Sequence, residues 1–226
     1  MNYNVVVVAA GKGMRAGLSF NKVLRRIAGK SVLLHALKAF HDDPDCTRLI
    51  VVTSEQDLPV VKSETAGFTD AVLIGGKTRR ESVREGLKHV DEPHVMIHDG
   101  ARPFVSSEVL ERLKETLRHH DAASAALVVP DTLKKVDNGI IMKDVDRKGV
   151  YGLQTPQAFS THILKEAHVL GDLENLDATC DLSLVNKAVG LKGVVVEGDP
   201  RSMKYTHERD LKLLEMILDD ANRSKP

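Results

Sequence analysis

The feature that most constrains the fold is a series of short apolar runs, rich in β-branched residues, that recur along the whole chain. None of these runs alternates polar with apolar residues, which is typical of strands buried on both faces of a sheet. The runs lie at residues 5–8, 49–52, 71–74, 95–97, 125–129 and 194–196, and segments with helical spacing lie between them at 31–40, 78–90 and 107–119. This alternation predicts an α/β fold of Rossmann-like type, with a mainly parallel, twisted sheet and helices on both faces.

Two of the helices can be delimited further. Thr78 and Glu81 are three residues apart and precede an apolar stretch, which is the pattern of a capping box and predicts a helix that starts at Thr78. A last helix is predicted at 206–218. Its apolar face, which should pack on the sheet, comprises Leu211, Leu214 and Ile217 or Leu218.

One stretch breaks the alternation. Two short runs at 132–136 and 140–145 flank Asp137-Asn138-Gly139, and Asn-Gly between strands favours a hairpin turn because both residues tolerate positive φ. We therefore predict a protruding β-arm at about residues 132–150, on a single domain that spans 1–226. Because a two-stranded arm cannot bury its own apolar residues, we expect a homodimer whose subunits exchange arms.

Charge and cysteine content limit the possible partners. The chain of 226 residues has 32 basic and 32 acidic side chains, so an extended electrostatic contact with nucleic acid or an anionic membrane is not expected. Cys46 and Cys180 are far apart and lack metal-ligand spacing, which fits a reducing compartment. No basic leader precedes the first apolar run, which is too short to cross a bilayer. We expect a cytoplasmic protein that binds neither nucleic acid nor membranes.

A glycine-rich segment follows the first predicted strand. Glycines at that position let backbone N–H groups approach phosphate oxygens, and open α/β sheets bind ligands at the carboxyl ends of their strands. A tight strand-to-helix turn is the alternative. The spacing is a poor dinucleotide fingerprint, since the third glycine comes one residue late and Arg15 intrudes. The candidate phosphate-binding residues are Ala9, Ala10, Gly11 and Gly13.

The same segment carries two cations, Arg15 and Lys22. Phosphoryl-type transfer requires little covalent chemistry from a protein, but it requires fixed positive charge around the phosphorus and the leaving group. Arg15 and Lys22 fit that requirement, and two solvated surface charges are the alternative.

Two further segments follow predicted strands. Gly75 and Gly76 precede the helix at Thr78, where backbone groups and Ser82 are placed to read the edge of a base. Asp99 follows the 95–97 run, and a lone carboxylate there suits Mg²⁺ that is bound mostly by phosphates and water. An ion pair between Asp99 and Arg102 that holds the loop is the alternative.

Three later segments, 146–147, 153–159 and 197–204, each place a cation or hydroxyl just beyond a predicted strand. Taken singly, each of these segments is better explained by a structural role than by a functional one. Taken in order, the motifs of this chain resemble those of the 2-C-methyl-D-erythritol 4-phosphate cytidylyltransferases of the non-mevalonate isoprenoid pathway. The resemblance covers nearly the whole chain. The matching segments are A-A-G-K-G-M-R with Lys22, G-G-K-T-R-R-E-S-V, H-D-G-A-R-P-F, D-T-L-K-K-V, D-R-K-G, L-Q-T-P-Q-A-F and E-G-D-P-R-S-M-K.

The resemblance implies a fold of the nucleotide-diphospho-sugar transferase type. It also implies transfer of CMP from CTP to 2-C-methyl-D-erythritol 4-phosphate, with Mg²⁺ as cofactor and Asp99 as its ligand. Arg15 and Lys22 would stabilise charge on the α-phosphate, and Arg147 and Lys204 would hold the incoming phosphate. The remaining implied contacts are Gly75, Gly76 and Ser82 around cytosine, Arg102 and Thr155 near the substrate phosphate, and Thr132 and Arg147 in the neighbouring subunit's site.

The chain departs from the family pattern at two places. Asn21-Lys22-Val23 stands where the family usually has Pro-Lys-Gln, which predicts a less rigid loop around Lys22. Thr179-Cys180-Asp181 stands where the family usually has a second acidic residue. Neither change removes a charge with an assigned catalytic role.

A phosphate monoester is already a nucleophile, because its second pKa is about 6 and it is largely dianionic near neutral pH. A direct in-line displacement therefore needs neither a general base nor a covalent enzyme intermediate, and the sequence shows no convincing Ser-His-Asp or Cys-His constellation. A ribitol 5-phosphate cytidylyltransferase is the nearest alternative. An NAD-linked Rossmann oxidoreductase and a nucleotide-binding regulator without turnover are more distant alternatives. The preference for CTP over UTP does not follow from the residues alone.

Overall fold

A computed structural model describes residues 1–11 and 21–223 of the chain. Its strands are β1 (Tyr3–Val8), β2 (Arg26–Ile27), β3 (Lys30–Ser31), β4 (Cys46–Thr53), β5 (Ala71–Ile74), β6 (His94–Asp99), β7 (Ala122–Val128), β8 (Leu133–Asp137), β9 (Ile140–Val145), β10 (Tyr151–Ser160) and β11 (Val194–Glu197). Its α-helices are α1 (Val32–His41), α2 (Leu58–Glu64), α3 (Arg79–Leu87), α4 (Ser107–Thr116), α5 (Thr161–Leu173), α6 (Asp181–Val189) and α7 (Asp210–Arg223), and a 3₁₀ turn spans Lys22–Leu24.

The central sheet has the strand order β11-β7-β10-β6-β1-β4-β5. Strand β10 runs antiparallel to both of its neighbours, β6 and β7, and the other pairs in the sheet are parallel. The prediction of a mainly parallel α/β sheet is confirmed. The carboxyl ends of β1, β4 and β6 therefore meet at one edge of the sheet, where ligands bind in open α/β folds.

The prediction for the 153–159 segment was wrong in one respect, because this segment does not follow a strand but forms part of β10. Polar residues and Pro156 interrupt its apolar pattern, and proline normally argues against a central strand. The pairing with β7 shifts register between Leu153 and Gln157, which accommodates the proline at an irregularity in the strand.

Neighbouring residues of β1 point into two separate cores, which explains why residues 5–8 of the strand are all apolar. Val5 and Val7 belong to one core, which is completed by residues of α1, α4 and α7. Val6 belongs to the other core, which is completed by residues of α3, α5 and α6. Each fully buried side chain of this kind contributes about 1.5–3 kcal/mol, so both helix layers are held to the sheet by burial.

Burial on both faces was wrongly predicted for the runs at 71–74 and 194–196. They form β5 and β11, the two edge strands of the sheet, and Ile74 and Val195 are exposed. The helix layers cover the edges of the sheet less completely than its centre.

The predicted helix boundaries are partly confirmed. Thr78 is the N-cap of α3, and its side chain accepts a hydrogen bond from the backbone N–H of Glu81. The last helix begins at Asp210 instead of at 206, because the Asp210 carboxylate accepts the backbone N–H groups of Thr206 and His207 in a turn before the helix. Its predicted apolar face packs in the core through Leu214 and Leu218.

The hairpin prediction is confirmed. Strands β8 and β9 pair antiparallel, and the turn residues Asn138 and Gly139 have φ values of 45° and 80°. Ile140, Ile141 and Met142 lie exposed on this arm. The use of the arm in dimerisation stays a prediction.

Over residues 1–11 and 21–223, the helices are all too short or too polar to cross a bilayer.

Candidate active site

Asp99 lies at the carboxyl end of β6, beside the end of β1, and its carboxylate accepts hydrogen bonds from two cationic side chains. Its Oδ2 accepts a hydrogen bond from Lys204 Nζ at 2.6 Å, and its Oδ1 accepts one from Arg79 Nε at 3.2 Å. Burial acts to raise the pKa of this carboxyl group, but the charges of Arg79 and Lys204 dominate and hold the pKa well below its usual range. Asp99 is therefore ionised at neutral pH.

Arg79 joins Asp99 to a second buried carboxylate. Its Nη1 donates to Asp181 Oδ2 at 2.6 Å, and the Asp181 side chain is only 2 % exposed. Burial acts to lower the pKa of Arg79, but Asp181 and Asp99 raise it above the ordinary value, so the guanidinium stays charged. Arg79 was not among the predicted site residues. A sequence signal existed, because an arginine in the first turn of a helix is unfavourable beside the helix dipole unless it has anionic partners.

His98 links Asp99 to the following loop. Its Nε2 lies 3.0 Å from the carbonyl oxygen of Arg102, which can only accept, so Nε2 carries the hydrogen. Nδ1 then accepts from the Thr155 hydroxyl at 3.0 Å, and Thr155 Oγ1 accepts the backbone N–H of Asp99 at 3.0 Å. Burial lowers the pKa of His98 to about 4, which keeps the ring neutral. In this arrangement Thr155 orients Asp99 by accepting its backbone N–H, and the Thr155 hydroxyl donates a hydrogen bond to His98.

The Asp99–Arg102 ion pair considered from the sequence is not present. The Asp99 carboxylate pairs with Arg79 and Lys204, while Arg102 Nη1 donates to the carbonyl oxygen of Ser202 at 2.6 Å. Arg102 therefore fixes the segment that leads to Lys204.

A second contact holds the same segment. The side chain of Gln154 donates to the carbonyl oxygen of Asp199 at 2.9 Å and accepts the backbone N–H of Asp199 at 3.1 Å. This paired bond joins β10 to the 199–204 segment, and sequence reasoning did not identify it. Lys204 is thus held to the sheet edge through backbone contacts on its amino-terminal side.

Lys22 reaches the same place from the opposite end of the chain. Its Nζ donates to the carbonyl oxygen of Tyr205 at 2.5 Å and lies 5.8 Å from the centre of the Tyr205 ring. Since Tyr205 directly follows Lys204, the structure brings Lys22, Lys204 and Asp99 to one edge of the sheet. The predicted residues Gly13 and Arg15 lie outside the described residues.

The start of the glycine-rich segment lies at the end of β1. The backbone N–H of Ala9 donates to the carbonyl oxygen of Val52 at 2.7 Å, which continues the pairing with β4. Ala10 and Gly11 follow, and a Cβ added at Gly11 would meet no described atom within 4 Å. Packing against the described residues therefore does not require a glycine at that position.

The three residues expected around the base lie together. Gly75 and Gly76 follow β5, and Ser82 lies buried in the first turns of α3. A Cβ added at Gly75 would lie 2.5 Å from Ser82 Oγ, so the missing side chain permits this close approach. Ser82 Oγ donates to the carbonyl oxygen of Thr78 at 2.9 Å.

Thr132 and Arg147 are not brought to this cluster. Both are exposed on or beside the arm, and the guanidinium of Arg147 donates to the carbonyl oxygen of Pro130. In the described part of the chain, no hydrogen bond joins Arg147 to Asp99 or Lys204. Within one subunit these two predicted site residues stand apart from the others.

Cys180, which stands where the family usually has an acidic residue, caps a helix. Cys180 is the N-cap of α6, where its Sγ accepts the backbone N–H of Ser183 at 3.4 Å and its own N–H donates to Ser183 Oγ at 3.1 Å. The next residue is Asp181, whose carboxylate pairs with Arg79. The departure therefore leaves the acidic partner of Arg79 in place.

A second group of carboxylates, formed by Asp43, Asp45 and Glu111, lies near the amino end of β4, far along that strand from the Asp99 edge. The ammonium of Lys114 lies among them, with Nζ–oxygen distances of 3.1, 2.7 and 2.6 Å. Burial acts to lower the pKa of Lys114, but its hydrogen bonds to the carboxylates raise it. A lysine charge already occupies this group, which makes it a structural ion-pair network.

Comparison with known proteins agrees with the geometry. Residues 3–220 match the family model described as 2-C-methyl-D-erythritol 4-phosphate cytidylyltransferase (IspD). The protein of that name from Bacillus licheniformis is 36 % identical to this chain over 230 residues, which cover 100 % of this chain and 99 % of the relative. The one from Geotalea uraniireducens is 36 % identical over 234 residues, which cover 100 % of both chains. The crystal structure of the Thermus thermophilus protein of the same name covers 97 % of this chain and 100 % of its own, with a TM-score of 0.84 and 33 % identity. The chain therefore belongs to the 2-C-methyl-D-erythritol 4-phosphate cytidylyltransferase family.

Proposed function

We propose that this chain transfers CMP from CTP to 2-C-methyl-D-erythritol 4-phosphate and so forms 4-diphosphocytidyl-2-C-methyl-D-erythritol and pyrophosphate. The family match over residues 3–220 supports this activity, and the names of the relatives favour methylerythritol phosphate over ribitol 5-phosphate as the acceptor. The same match disfavours an NAD-linked oxidoreductase. The structural observation that carries the proposal is the meeting of Lys22, Lys204 and ionised Asp99 at the carboxyl edge of the sheet.

In the proposed reaction, an oxygen of the acceptor phosphate forms a bond to the α-phosphorus of CTP. The bond from that phosphorus to the bridging oxygen of the β-phosphate breaks, and pyrophosphate leaves with the electron pair. The acceptor phosphate is largely dianionic at neutral pH, so no proton has to be removed from it. Lys22, together with Arg15, stabilises the charge on the α-phosphate, and Lys204 holds the acceptor phosphate with Arg102 and Arg147.

The bond between Lys204 and Asp99 supports its role. An ammonium group has three N–H donors. Lys204 uses one of them on Asp99. Lys204 can therefore keep this hydrogen bond and still donate to a phosphate oxygen, so that little reorganisation is needed when the transition state forms.

We further propose that Asp99 is the protein ligand of Mg²⁺. The donor fits, because Asp99 is ionised and each of its oxygens has a second lone pair beside the hydrogen bond that it accepts. When bound, the ion would neutralise charge on the phosphates of CTP. The residues of the chain provide the remaining positive charge, as described above.

We propose that the protein is a homodimer in which Thr132 and Arg147 of each arm serve the partner's site. Exposed apolar residues on the arm support this, since Ile140 is 67 % exposed and a two-stranded hairpin is marginal by itself. The separation of Arg147 from Lys204 within one subunit supports it as well.

Mixing two impaired variants tests the exchange of arms. If arms are exchanged, a heterodimer of Lys204→Ala and Arg147→Ala subunits has one site with both defects and one intact site. At a sugar-phosphate concentration well below the raised KM, random reassociation should then restore about a quarter of the wild-type rate, because half of the dimers are mixed and half of their sites are intact. If each arm serves its own subunit, every site keeps one defect and mixing restores nothing.

Pyrophosphate release tests the activity. The assay compares CTP, UTP, ATP and GTP with methylerythritol phosphate and ribitol 5-phosphate, with and without Mg²⁺. Turnover should be highest for CTP with methylerythritol phosphate and should require Mg²⁺. Higher turnover with ribitol 5-phosphate, or CTP binding without pyrophosphate release, would contradict the proposal.

Four single variants test the residue roles in the same assay. Arg15→Ala and Lys22→Ala should each lower kcat on the order of a hundredfold or more, as loss of a transition-state donor does. Arg147→Ala and Lys204→Ala should mainly raise KM for the sugar phosphate. Near-normal kcat in the first pair, or an unchanged KM in the second, argues against these roles.

We also propose that the enzyme resides in the cytoplasm. Cys46 and Cys180 are both free thiols, which fits a reducing compartment.

A further inference from the structure

Asn21 precedes Lys22 and is 3 % exposed. Its side-chain amide donates to the carbonyl oxygen of Ala9 at 2.5 Å and to Asp57 Oδ2 at 3.0 Å, while its Oδ1 accepts the backbone N–H of Val23 at 3.3 Å. Both amide hydrogens and the amide oxygen are thus used. One side chain connects the end of β1, the loop after β4 and the turn that carries Lys22.

The partners of Asn21 are themselves fixed. Ala9 is bonded to β4 through its own N–H, and Asp57 Oδ2 also accepts from the Ser54 hydroxyl at 2.6 Å. Through these contacts the backbone at Lys22 is fixed relative to the carboxyl ends of two adjacent strands, β1 and β4. From there the Lys22 side chain extends to the Tyr205 carbonyl.

The backbone of Asn21 has φ of −66°, which is within the range that a proline ring enforces. The sequence predicted a less rigid loop because the proline is missing. Three side-chain hydrogen bonds hold Asn21 in the same backbone conformation and so take the place of the proline ring.

We propose that Asn21 is a positioning residue that sets the Lys22 ammonium against the nucleotide site at the end of β1. The inference rests on the proposed role of Lys22. Capping the 3₁₀ turn needs only a side-chain acceptor, which serine or aspartate also provides. The two further donor bonds, to Ala9 and Asp57, require an amide and connect the turn to the site.

Asn4 provides a matched control. It too is a buried asparagine, and its side chain bonds to Thr47 and to the backbone N–H groups of Asp91 and Glu92. It lies at the amino end of β1, opposite the site. Asn4→Ala therefore removes a comparable set of buried hydrogen bonds without touching the Lys22 turn.

A double-mutant cycle on kcat tests the inference. Asn21→Ala should lower kcat on the order of tenfold, because a catalytic group displaced by about 1 Å loses much of its effect. In the Lys22→Ala background the same substitution should lower kcat less than about twofold, since the group that it positions is already gone. Asn4→Ala should change kcat less than about twofold in both backgrounds. All variants are assayed at a temperature at which circular dichroism shows them folded.

Asn21→Asp serves as the second variant and as the replacement if Asn21→Ala does not fold. It keeps the size and the acceptor for Val23 but places a carboxylate against the Ala9 carbonyl and Asp57. The same coupling to Lys22→Ala is expected. Equal losses of kcat in both backgrounds, or unchanged kcat in folded Asn21 variants, would overturn the inference. Failure of the proposed function would appear separately, as absence of pyrophosphate release from the wild-type protein. Failure of the proposed role of Lys22 would appear as normal turnover in the single Lys22→Ala variant.

Discussion

Arg79→Met removes the guanidinium that lies between two buried carboxylates while keeping most of the side-chain length. Asp181, at 2 % exposure, then loses its 2.6 Å ion pair, and among the described residues Asp99 keeps Lys204 as its ion-pair partner. Removing one partner of a buried pair costs about 3–5 kcal/mol. Since the Arg79 side chain is itself 32 % exposed, the lower end of this range, about 3 kcal/mol, is expected. For a chain of this size that corresponds to a fall in Tm of about 6–12 °C.

The adjacent variant Arg80→Met is the matched control. The Arg80 side chain is 30 % exposed, but its partner Asp172 is also partly exposed, so the ion pair should contribute about 1 kcal/mol or less. The double variant Arg79→Met/Asp181→Asn should recover part of the loss, because it removes the unpaired buried charge.

Thermal denaturation followed by circular dichroism, with urea unfolding at pH 7.5, measures these differences. Equal destabilisation by Arg79→Met and Arg80→Met would show that the Arg79–Asp181 pair contributes no more than a partly exposed ion pair. A fall in Tm of less than about 2 °C in Arg79→Met would contradict the expected loss as well. The free energy of unfolding would then differ by about 1 kcal/mol or less between the protein with the Arg79–Asp181 pair and the protein without it.

Three further variants test other parts of the structure. Burial lowers the pKa of His168 below its ordinary 6.5, so the contribution of His168 to the free energy of unfolding is complete above that pH and is lost as the pH falls. Between pH 7.5 and 5, the free energy of unfolding measured in urea should therefore fall less for His168→Leu than for wild type, and equal falls would contradict this. Gly75→Ala places a Cβ 2.5 Å from Ser82 Oγ, so KM for CTP should rise severalfold in the pyrophosphate assay, and an unchanged KM would exclude a tight fit there. Lys114→Met should lower the free energy of unfolding by about 3 kcal/mol without changing kcat of the folded enzyme, and a lower kcat would connect this distant network to the site.

The interior of the sheet could be predicted from apolar runs because β1, β4 and β6 are buried on both faces. Strand β10 could not, since its sequence includes Gln154, Thr155, Pro156 and Gln157. The three polar side chains of this set make hydrogen bonds that shape the site, including those from Gln154 to Asp199 and from Thr155 to His98. The local pattern of a strand is lost where the strand contributes polar contacts.

The role of Lys204 was implied only by the family resemblance, but the position of Asp99 at the carboxyl end of its strand could be predicted from residue type and position. The contact between Arg79 and Asp181 could not, because these residues are 102 positions apart and meet only when α3 and α6 pack on the same face of the sheet. The network through His98 and Thr155 also depends on β10 lying beside β6. Such contacts follow from tertiary packing, which no local motif encodes.

Lysines from distant parts of the chain are proposed to act on one triphosphate and one acceptor phosphate beside Asp99. A crystal structure of the complex with CTP, Mg²⁺ and methylerythritol phosphate would show these contacts. The Nζ atoms of Lys22 and Lys204 should lie about 3 Å from phosphate oxygens at the carboxyl edge of the sheet. A triphosphate bound away from this edge, with both lysines turned from its oxygens, would contradict the proposed site.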